Sequence, residues 1–410
     1  MKTDFKIKFY IRKYLMSKKF LNLNNIKILF MEILFSYNKK ISGDRKAYVK
    51  GIFDWLLFAK NISKDGGIPN WFSMRNGWGK SYPEVTGYLI SSFCTFYKNF
   101  PNFSYLYKHI LDMANWEVSI QQNSGGWCSE TIDKNLKSVV FNTGQIIDGL
   151  VETYHITKDE KYIKSSQLGA EWLLKQQHPE GYYNKNTYMN IIRVFDARVS
   201  FALMKLYEVT NDDRLLVSIK KNLDWILTKQ TSKGWFFDCD NSITNNDYPL
   251  THCINYTLEG LLYCGIKLKE EKYINAVLLS VHNLIPLFEI KKYLPSRIGL
   301  DWQVESSSEC LTGNAQLAII LFKLFQLKKD YYYLNTAYKL VDSVLINIDL
   351  QTQNKNIFGG VPGSNPLYGN YCEFCYISWA SKFILDALFL ENIINKKVKQ
   401  EENCENISYF

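Results

Sequence analysis

Hydrophobic residues along this chain recur at the spacing of amphipathic helices, and the same order of elements is repeated. In one clear unit, Ile146, Leu150 and Tyr154 lie about one helical turn apart, which predicts a helix. A short polar turn follows, and a second apolar series runs from Tyr162 to Gln177. Proline and glycine in the next segment end this second helix. The pattern therefore predicts a helical hairpin.

The same hairpin recurs six times. The first helices have equivalent positions that follow one another at intervals of 54 to 69 residues. This period accommodates two helices and a long loop, and it exceeds the roughly 34 residues of tetratricopeptide units and the roughly 40–47 residues of HEAT and armadillo units. The six predicted helix starts are Thr86, Thr143, Ala197, Ile254, Thr312 and Ser381.

A loop signature ends the predicted second helices. It consists of a glutamine, a glycine four residues later, and an aromatic residue after one more position. Complete copies begin at Gln121, Gln177 and Gln230, and shorter versions carry only paired glycines. Because glycine adopts positive φ without steric cost, we expect positive φ at the paired loop glycines, which are Gly66, Gly67, Gly125, Gly126, Gly359 and Gly360.

The hairpins remain apolar up to the last one, over residues 379–388. An open solenoid needs polar capping units at both ends, whereas a closed ring buries them. We therefore predict an all-α fold, an (α/α)6 toroid with an inner ring of first helices, an outer ring of second helices and a central pocket. The predicted domain covers residues 45–395, with a basic N-terminal helical extension over residues 1–44 and a polar C-terminal tail over residues 396–410.

The glutamine–glycine–aromatic loops resemble those of α/α toroids, a group that includes squalene–hopene cyclases, protein prenyltransferases, six-hairpin glycosidases and polysaccharide lyases. Five segments further resemble bacterial proteins encoded in capsule and exopolysaccharide gene clusters. These segments are residues 81–88, 141–145, 251–256, 310–316 and 379–383. The resemblance, which covers residues 45–390, implies a carbohydrate-active protein of surface-polysaccharide biosynthesis, although such folds host several chemistries.

The formal net charge of +9 is concentrated at the N-terminus. Residues 1–40 contain ten basic and two acidic residues, whereas the rest of the chain is nearly neutral. A nucleic-acid-binding domain would carry a basic face across its body, so this class is excluded. The basic segment is either a solvated extension or a contact with an anionic membrane surface. The absence of a secretory signal pattern and nine irregularly spaced cysteines favour a cytoplasmic protein, with peripheral membrane contact as the alternative.

The predicted loops after the outer helices lead into the inner-helix starts, so the six starts meet at one mouth of the ring. Free N–H groups at helix N-termini favour carboxylates and sugar oxygens there. Aromatic faces stack on sugar rings, and arginine and amide side chains bind hydroxyls and carboxylates, which is typical of a glycan site. The expected substrate-binding residues are Arg75, Lys80, Tyr82, Trp127, Asn142, Gln145, Arg193, Arg198, Trp302, Asn314, Gln316, Trp379 and Lys382.

Of the five histidines, His252 alone lies at a predicted inner-helix start. An ordinary histidine pKa of about 6.5 suits general acid or base catalysis, and the alternative is a structural histidine hydrogen-bonded in the core. Tyr256 lies four residues later on the same helix face. A His–Tyr pair that faces a uronate resembles a lyase or C5-epimerase site, where the carboxylate must be neutralised before its α-proton leaves.

The carboxylates best placed for acid–base work are Glu84, Asp196 and Glu305. A glycosidase needs two carboxyl groups about 5–5.5 Å apart for retention or about 6.5–9.5 Å apart for inversion. The alternative for Glu84 and Asp196 is a structural position in the first helical turn, where the helix dipole favours acids. Lyase, epimerase and hydrolase therefore all remain open. The expected substrate is an acidic or uronate-containing glycan, free or lipid-linked, with Arg193 and Arg198 as substrate clamps.

Two other classes remain as alternatives. A terpenoid cyclase needs a D-x-D-D acid motif, and Asp238-Cys-Asp240-Asn241 retains two of its three acids; we interpret this segment as a solvated loop. A prenyltransferase-like zinc site would need an Asp-x-Cys spacing that the sequence lacks. The C-x-x-C pair Cys372 and Cys375 has no second pair to complete four zinc ligands, so no metal or other cofactor is predicted. The second alternative is a non-catalytic toroid that binds glycan or a partner protein.

Overall fold

The computed structural model describes residue 41, residues 43–134 and residues 136–407, with side chains up to residue 400. The predicted basic extension therefore lies almost wholly outside the described residues. Within the described part of the chain, twelve α-helices follow one another in order. They are α1 (Arg45–Ser63), α2 (Pro83–Asn99), α3 (Leu106–Ser119), α4 (Val140–Thr157), α5 (Glu160–Gln176), α6 (Ala197–Thr210), α7 (Asp213–Leu227), α8 (Thr251–Leu268), α9 (Glu271–Lys291), α10 (Leu311–Lys328), α11 (Tyr331–Leu345) and α12 (Ser378–Ile407).

The even-numbered helices form the predicted inner ring. Each packs against the next, and α12 packs against α2, so the ring is closed. Inner helices are buried on nearly every face, as the unbroken buried run from Leu311 to Phe322 in α10 illustrates. Outer helices bury one stripe, and α7 buries Leu215, Ile219, Leu223 and Ile226 at helical spacing. The predicted all-α toroid is confirmed, and each predicted helix start lies within three residues of an observed one.

The sixth hairpin joins two distant parts of the chain. Helix α1 is the outer helix against α12, and the side chain of Arg45 binds Glu391 of α12 at 3.1 Å and Asp342 of α11 at 2.6 Å. Near the mouth, strand β1 (Trp71–Ser73) lies between β2 (Gly77–Trp78) and β5 (Cys375–Ile377) in an antiparallel sheet. A second small sheet pairs β3 (Glu309–Cys310) with β4 (Ser364–Asn365). The ring therefore closes through both helices and strands.

The repeated glutamine connects each loop to the following hairpin. The side-chain amide of Gln121 donates to its own loop at the Gly125 carbonyl (2.7 Å) and to the Ser165 carbonyl of α5 (2.9 Å). Gln177 makes the equivalent pair of bonds to its own loop and to Ser218 of α7, each at 2.9 Å. A glutamine amide has two N–H donors, which explains why this residue recurs at the end of an outer helix.

The loop glycine permits the close approach of that next outer helix. Gly125 has φ of +96°, and a β-carbon there would stand 2.5 Å from the Leu168 carbonyl oxygen of α5. The prediction of positive φ is confirmed for Gly66, Gly125 and Gly359. It is wrong for the second glycine of each pair, because these glycines have ordinary φ. They are required for a different reason, since a β-carbon would clash with a neighbouring residue; at Gly126 it would lie 2.7 Å from the β-carbon of Ser138.

Helix α9 is the one described helix that is long and apolar enough to cross a membrane, with a mean hydropathy of 1.4. Half of its apolar window is buried, and it packs as an outer helix against α8. Its composition is therefore explained by its place in the toroid.

Candidate active site

His252 and Tyr256 lie one turn apart near the start of α8, and their ring centroids are 4.3 Å apart. Further aromatic rings surround this pair. Phe141 of α4 and Phe383 of α12 lie 5.1 and 5.7 Å from the Tyr256 ring, and Tyr371 lies 5.8 Å from the His252 ring. The N-terminal ends of the inner helices therefore enclose a predominantly apolar site around a histidine.

The protonation state of His252 follows from its one hydrogen-bond partner. Its Nδ1 atom lies 2.7 Å from the Oε1 atom of Gln316 on α10. An amide oxygen only accepts, so Nδ1 carries the proton and Nε2 presents a lone pair. Within the described residues, Nε2 has no partner. Burial lowers the pKa of His252 to about 4, against the opposing effect of Gln316, so the ring is neutral at pH 7.

Glu84 lies in the first turn of α2, one residue after the proline that begins the helix. Burial raises the pKa of Glu84 to about 7, and the facing Tyr82 hydroxyl opposes this rise. The charge of Glu84 also raises the pKa of Tyr256 and of Tyr88, although burial is the larger cause for both tyrosines. Tyr88 follows Glu84 by one helical turn, and its ring lies 6.0 Å from that of Phe383, which also contacts His252 and Tyr256. Helix α2 therefore borders the His252–Tyr256 pair. We define the mouth cluster as Tyr82, Glu84, Tyr88, His252, Tyr256 and Tyr371.

The mouth cluster combines a carboxyl group that is about half protonated at pH 7 with a neutral imidazole. The first can donate a proton and the second can accept one. Pairs of titratable groups whose environments move their pKa values in opposite directions characterise acid–base sites. The cluster therefore has the chemical means for proton transfer at neutral pH.

Asp196 ends a short 3-10 turn (Val194–Asp196) ahead of α6 and is 2% exposed. Burial raises its pKa to about 7, against the effect of Arg193, and its Oδ2 atom accepts no hydrogen bond from the part of the chain that the structure describes. Arg193 donates to the backbone carbonyls of Asp240, Asn241 and Tyr188. It therefore fixes loops, and the expectation that it clamps substrate is not supported by its contacts.

Arg198 and Lys382 lie deeper in the ring than the mouth. Arg198 is 2% exposed and stacks 4.0 Å above the ring of Phe201. Lys382 forms an ion pair with Asp386 at 2.7 Å and lies 4.2 Å from the ring centroid of Phe383. Both side chains line a cavity inside the ring, so their long side chains reach away from the helix starts.

Several of the expected sugar-binding residues are held by the fold itself. Trp127 is fully buried and donates to the Glu117 carbonyl at 2.8 Å, and Trp302 is 8% exposed and donates to the Lys233 carbonyl. Neither ring face is available to a sugar, because both rings are buried in the protein. Three amides are buried in structural bonds: Asn142 to the Cys128 carbonyl, Gln145 to the Phe141 carbonyl, and Asn314 to Glu309 and Ser343.

The remaining expected residues lie around the mouth or outside it. The indole of Trp379 donates to the Tyr371 hydroxyl at 2.9 Å and so touches the mouth cluster. Arg75 forms an ion pair with Glu373 at 3.0 Å. Lys80 and Glu305 are both exposed, and the structure does not place Glu305 in the cluster.

Sequence reasoning missed two residues that adjoin the site. Tyr88 is buried on α2 beside Glu84. Glu259 is buried on α8 and faces Gln316, the partner of His252. Because Glu259 follows His252 by seven residues, the two share a helix face, and this spacing was the available signal.

Asp240 corrects the interpretation of its segment as a solvated loop. It is 0% exposed, and its carboxylate accepts bonds from Ser242, from the Leu250 amide and from Arg297 at 2.9 to 3.0 Å. This carboxylate therefore organises the loop before α8. Among the described residues, no group of three or more His, Cys, Asp or Glu side chains could hold a metal ion.

No protein-family model and no curated protein sequence matches this chain. Solved structures do resemble it. An unsaturated glucuronyl hydrolase specific for heparin matches with a TM-score of 0.69 and 15% identity over 86% of this chain and 97% of that one. A D-mannose isomerase matches with a TM-score of 0.65 and 14% identity over 85% and 97%. The cellobiose 2-epimerase of Bacillus thermoamylovorans matches with a TM-score of 0.63 and 13% identity over 84% and 99%. This protein therefore has the six-hairpin α/α-toroid fold of these carbohydrate-processing enzymes.

Proposed function

We propose that this protein is a carbohydrate-active enzyme that transfers protons at a saccharide bound against the mouth cluster. His252 acts as the general base through Nε2, and Glu84 acts as the general acid. The observation that carries the proposal is the Nε2 atom of a neutral histidine, which has no partner among the described residues, at the same mouth of the ring as a carboxyl group whose pKa is about 7. Positioned acid–base groups of this kind typically contribute about 10²–10⁴-fold to a rate.

The pairing of an imidazole base with a carboxylic acid favours epimerisation or isomerisation over hydrolysis. In such a reaction, Nε2 of His252 takes the proton from the carbon next to a sugar carbonyl, and Glu84 protonates the carbonyl oxygen to give an enediol. His252 then returns its proton to carbon while the Glu84 carboxylate takes back a hydroxyl proton, which restores both groups and re-forms a carbonyl. Delivery to the neighbouring carbon gives the isomer, and delivery to the opposite face of the same carbon, after the enediol turns over in the site, gives the epimer. A glycosidase instead pairs two carboxyl groups, and Glu305, one of the expected carboxylates, is exposed.

The proposed substrate is a saccharide that is neutral at its reacting ring. The sequence predicts an acidic or uronate-containing glycan with Arg193 and Arg198 as clamps. Arg193 is bound to backbone carbonyls, and Arg198 lines the cavity that lies deeper in the ring than the mouth. A uronate buried at the mouth would need a counter-charge, so the contacts of these arginines favour the neutral sugar.

The proposed setting is the assembly of a surface polysaccharide. It is supported by the five segments that resemble proteins of capsule and exopolysaccharide clusters, and a lipid-linked saccharide is the corresponding form of the substrate. Residues 1–40, which carry most of the net charge, would then contact an anionic membrane surface.

The test is incubation of the purified protein in D2O with a panel of aldoses, reducing disaccharides and uronate-containing oligosaccharides. NMR reports deuterium at the carbon next to the carbonyl, ultraviolet absorbance reports an unsaturated product, and a reducing-end assay reports hydrolysis. We expect deuterium uptake with a neutral reducing sugar. An unsaturated product or new reducing ends would replace epimerisation with elimination or hydrolysis.

The matched variants are His252→Gln and Glu84→Gln, with His155→Gln as the control. His155 lies in the last turn of α4, far along the helix from the mouth. The first two variants are expected to lose about 10²-fold or more of the turnover, and the control is expected to keep it. A protein that binds a sugar equally well in all forms and turns over none of the panel would be a non-catalytic toroid.

A further inference from the structure

A cavity of roughly 170 Å³ lies inside the ring, next to the mouth cluster. Its wall includes Thr95, Leu262, Lys323 and Phe389, which lie in the third or fourth turns of α2, α8, α10 and α12. His252, by contrast, lies in the first turn of α8. The cavity is therefore displaced from the mouth towards the ends of the inner helices.

Three cations and two carboxylates line this cavity: Arg198, Lys323 and Lys382 against Glu259 and Asp386. Asp386 is already bound to Lys382 at 2.7 Å. Within the described residues, Lys323 has no ion pair, and burial lowers its pKa despite the nearby carboxylates. The lining thus contains a partly exposed ammonium group that has no direct counter-ion among the described residues.

Arg198 is incompletely bound as well. It is 2% exposed, yet among the described residues its Nε and Nη2 atoms have no hydrogen-bond partner. The nearest carboxylate oxygens, on Asp148 and Glu259, are 3.5 and 3.7 Å away. Buried guanidinium groups are normally hydrogen-bonded because the loss of hydration is costly. Two donors of this arginine therefore remain available to a ligand.

Charged residues next to the cavity do not neutralise the excess of positive charge in its lining. Asp148 also binds Lys205 at 2.5 Å, and Glu152 is shared between Lys205 and Lys98 at 2.7 and 2.9 Å. The cavity lining and these adjoining ion pairs together contain five cations and four carboxylates, which leaves one positive charge. Burial raises the pKa of Glu259, which adds to the positive excess when that carboxyl is protonated.

We propose that this cavity binds a small oxyanion, a carboxylate or phosphate group, between Arg198, Lys323 and Lys382. The planar guanidinium presents paired donors that match such oxygens, and the two ammonium groups supply charge from α10 and α12. The volume suits a few heavy atoms, since an apolar protein cavity of about 150 Å³ accommodates benzene. Lys323, Asp386 and Phe389 are partly exposed, so an anion can enter without opening of the ring.

The test measures thermal unfolding of the full chain, followed by tryptophan fluorescence, in sodium phosphate, sodium acetate and sodium chloride at equal ionic strength. A ligand that binds only the folded state raises the Tm in a saturable way. We expect a saturable rise with phosphate or acetate over chloride, and titration calorimetry is expected to give the same midpoint. The anion that gives the rise identifies the class, phosphate or carboxylate.

Lys323→Met is expected to abolish this rise, and Lys267→Met, which removes an exposed lysine near the end of α8, is expected to keep it. Thr95→Asp, which places a carboxylate on the cavity wall, is a second variant expected to lose it. Equal rises in all four proteins, or no saturable rise in the wild type, would overturn the proposal. These readouts do not depend on catalysis, so they stand apart from the proposed function.

Discussion

The mouth cluster and the charged network inside the ring are both buried, yet they treat ionisable groups in opposite ways. In the mouth cluster, Glu84 and His252 face aromatic rings, and burial favours their neutral forms. In the network, burial of Glu152 would raise its pKa, but Lys205 and Lys98 lower it to about 2. Burial alone therefore does not decide whether a carboxyl is ionised; the neighbouring charge does. One fold thus holds a site for proton transfer beside a set of fixed ions.

The largest loss of stability is expected where a substitution removes the counter-ion of buried charged groups. Asp148→Ala leaves Lys205 and Arg198 without their shared carboxylate, and loss of one partner of a buried pair costs about 3–5 kcal/mol. The free energy of unfolding, measured by urea titration, should fall by this amount. A loss below about 1 kcal/mol would mean that the network is effectively solvated.

Glu152→Gln tests the sign of the pH dependence in the network. The folded pKa of about 2 lies below the ordinary value of 4.5, so the stabilisation is present above pH 4.5 and is lost as the pH falls towards 2. This carboxylate contributes about 2–3 kcal/mol at neutral pH. The wild type and the variant should therefore differ most at pH 7 and converge at low pH, which urea titrations across that range would detect.

Glu84→Gln should show the opposite sign. The folded pKa of about 7 lies above 4.5, so the stabilisation is present below pH 4.5 and is lost as the pH rises through 7. The free energy of unfolding of the variant, measured relative to that of the wild type, should therefore rise by about 1–2 kcal/mol between pH 4.5 and pH 8. Parallel pH profiles for this variant and Glu152→Gln would contradict the distinction between the two regions.

The smallest effect is expected at an exposed pair. Asp224 binds Lys272 at 2.5 Å, and both side chains are about half exposed. Asp224→Asn should change the free energy of unfolding by less than about 1 kcal/mol, because exposed pairs are screened by solvent. A loss comparable to that of Asp148→Ala would show that burial does not separate the two pairs.

Much of the fold could be predicted because its causes are local. The apolar spacing in each hairpin and the bonds of Gln121 and Gln177 lie within neighbouring units, so each leaves a repeated pattern in the sequence. The partnership of α1 with α12 left no such pattern. It depends on contacts such as that of Arg45 with Glu391, which are 346 residues apart.

The candidate site could be predicted only in part. Position at a helix start was enough to select His252 and Tyr256, whose rings lie 4.3 Å apart, and Glu84, whose charge raises the pKa of Tyr256 in addition to the larger effect of burial. It did not reveal which way a side chain points, and so it equally selected Trp127, Asn142 and Asn314, which are buried in structural bonds. The helix face on which a residue lies was the more informative criterion, because it decides which way the side chain points; His252 and Glu259 share one face.

The contact of α1 with α12 has a consequence for how the protein unfolds. A linear array of helical hairpins can lose its terminal units one at a time, because each end has only one neighbour. Here every hairpin has a neighbour on both sides, and Gln121, Gln177 and Gln230 each bond to the next one. Separation of any one hairpin must therefore break two interfaces at once. Stepwise fraying from the ends is thereby suppressed, and the ring is expected to unfold as one cooperative unit.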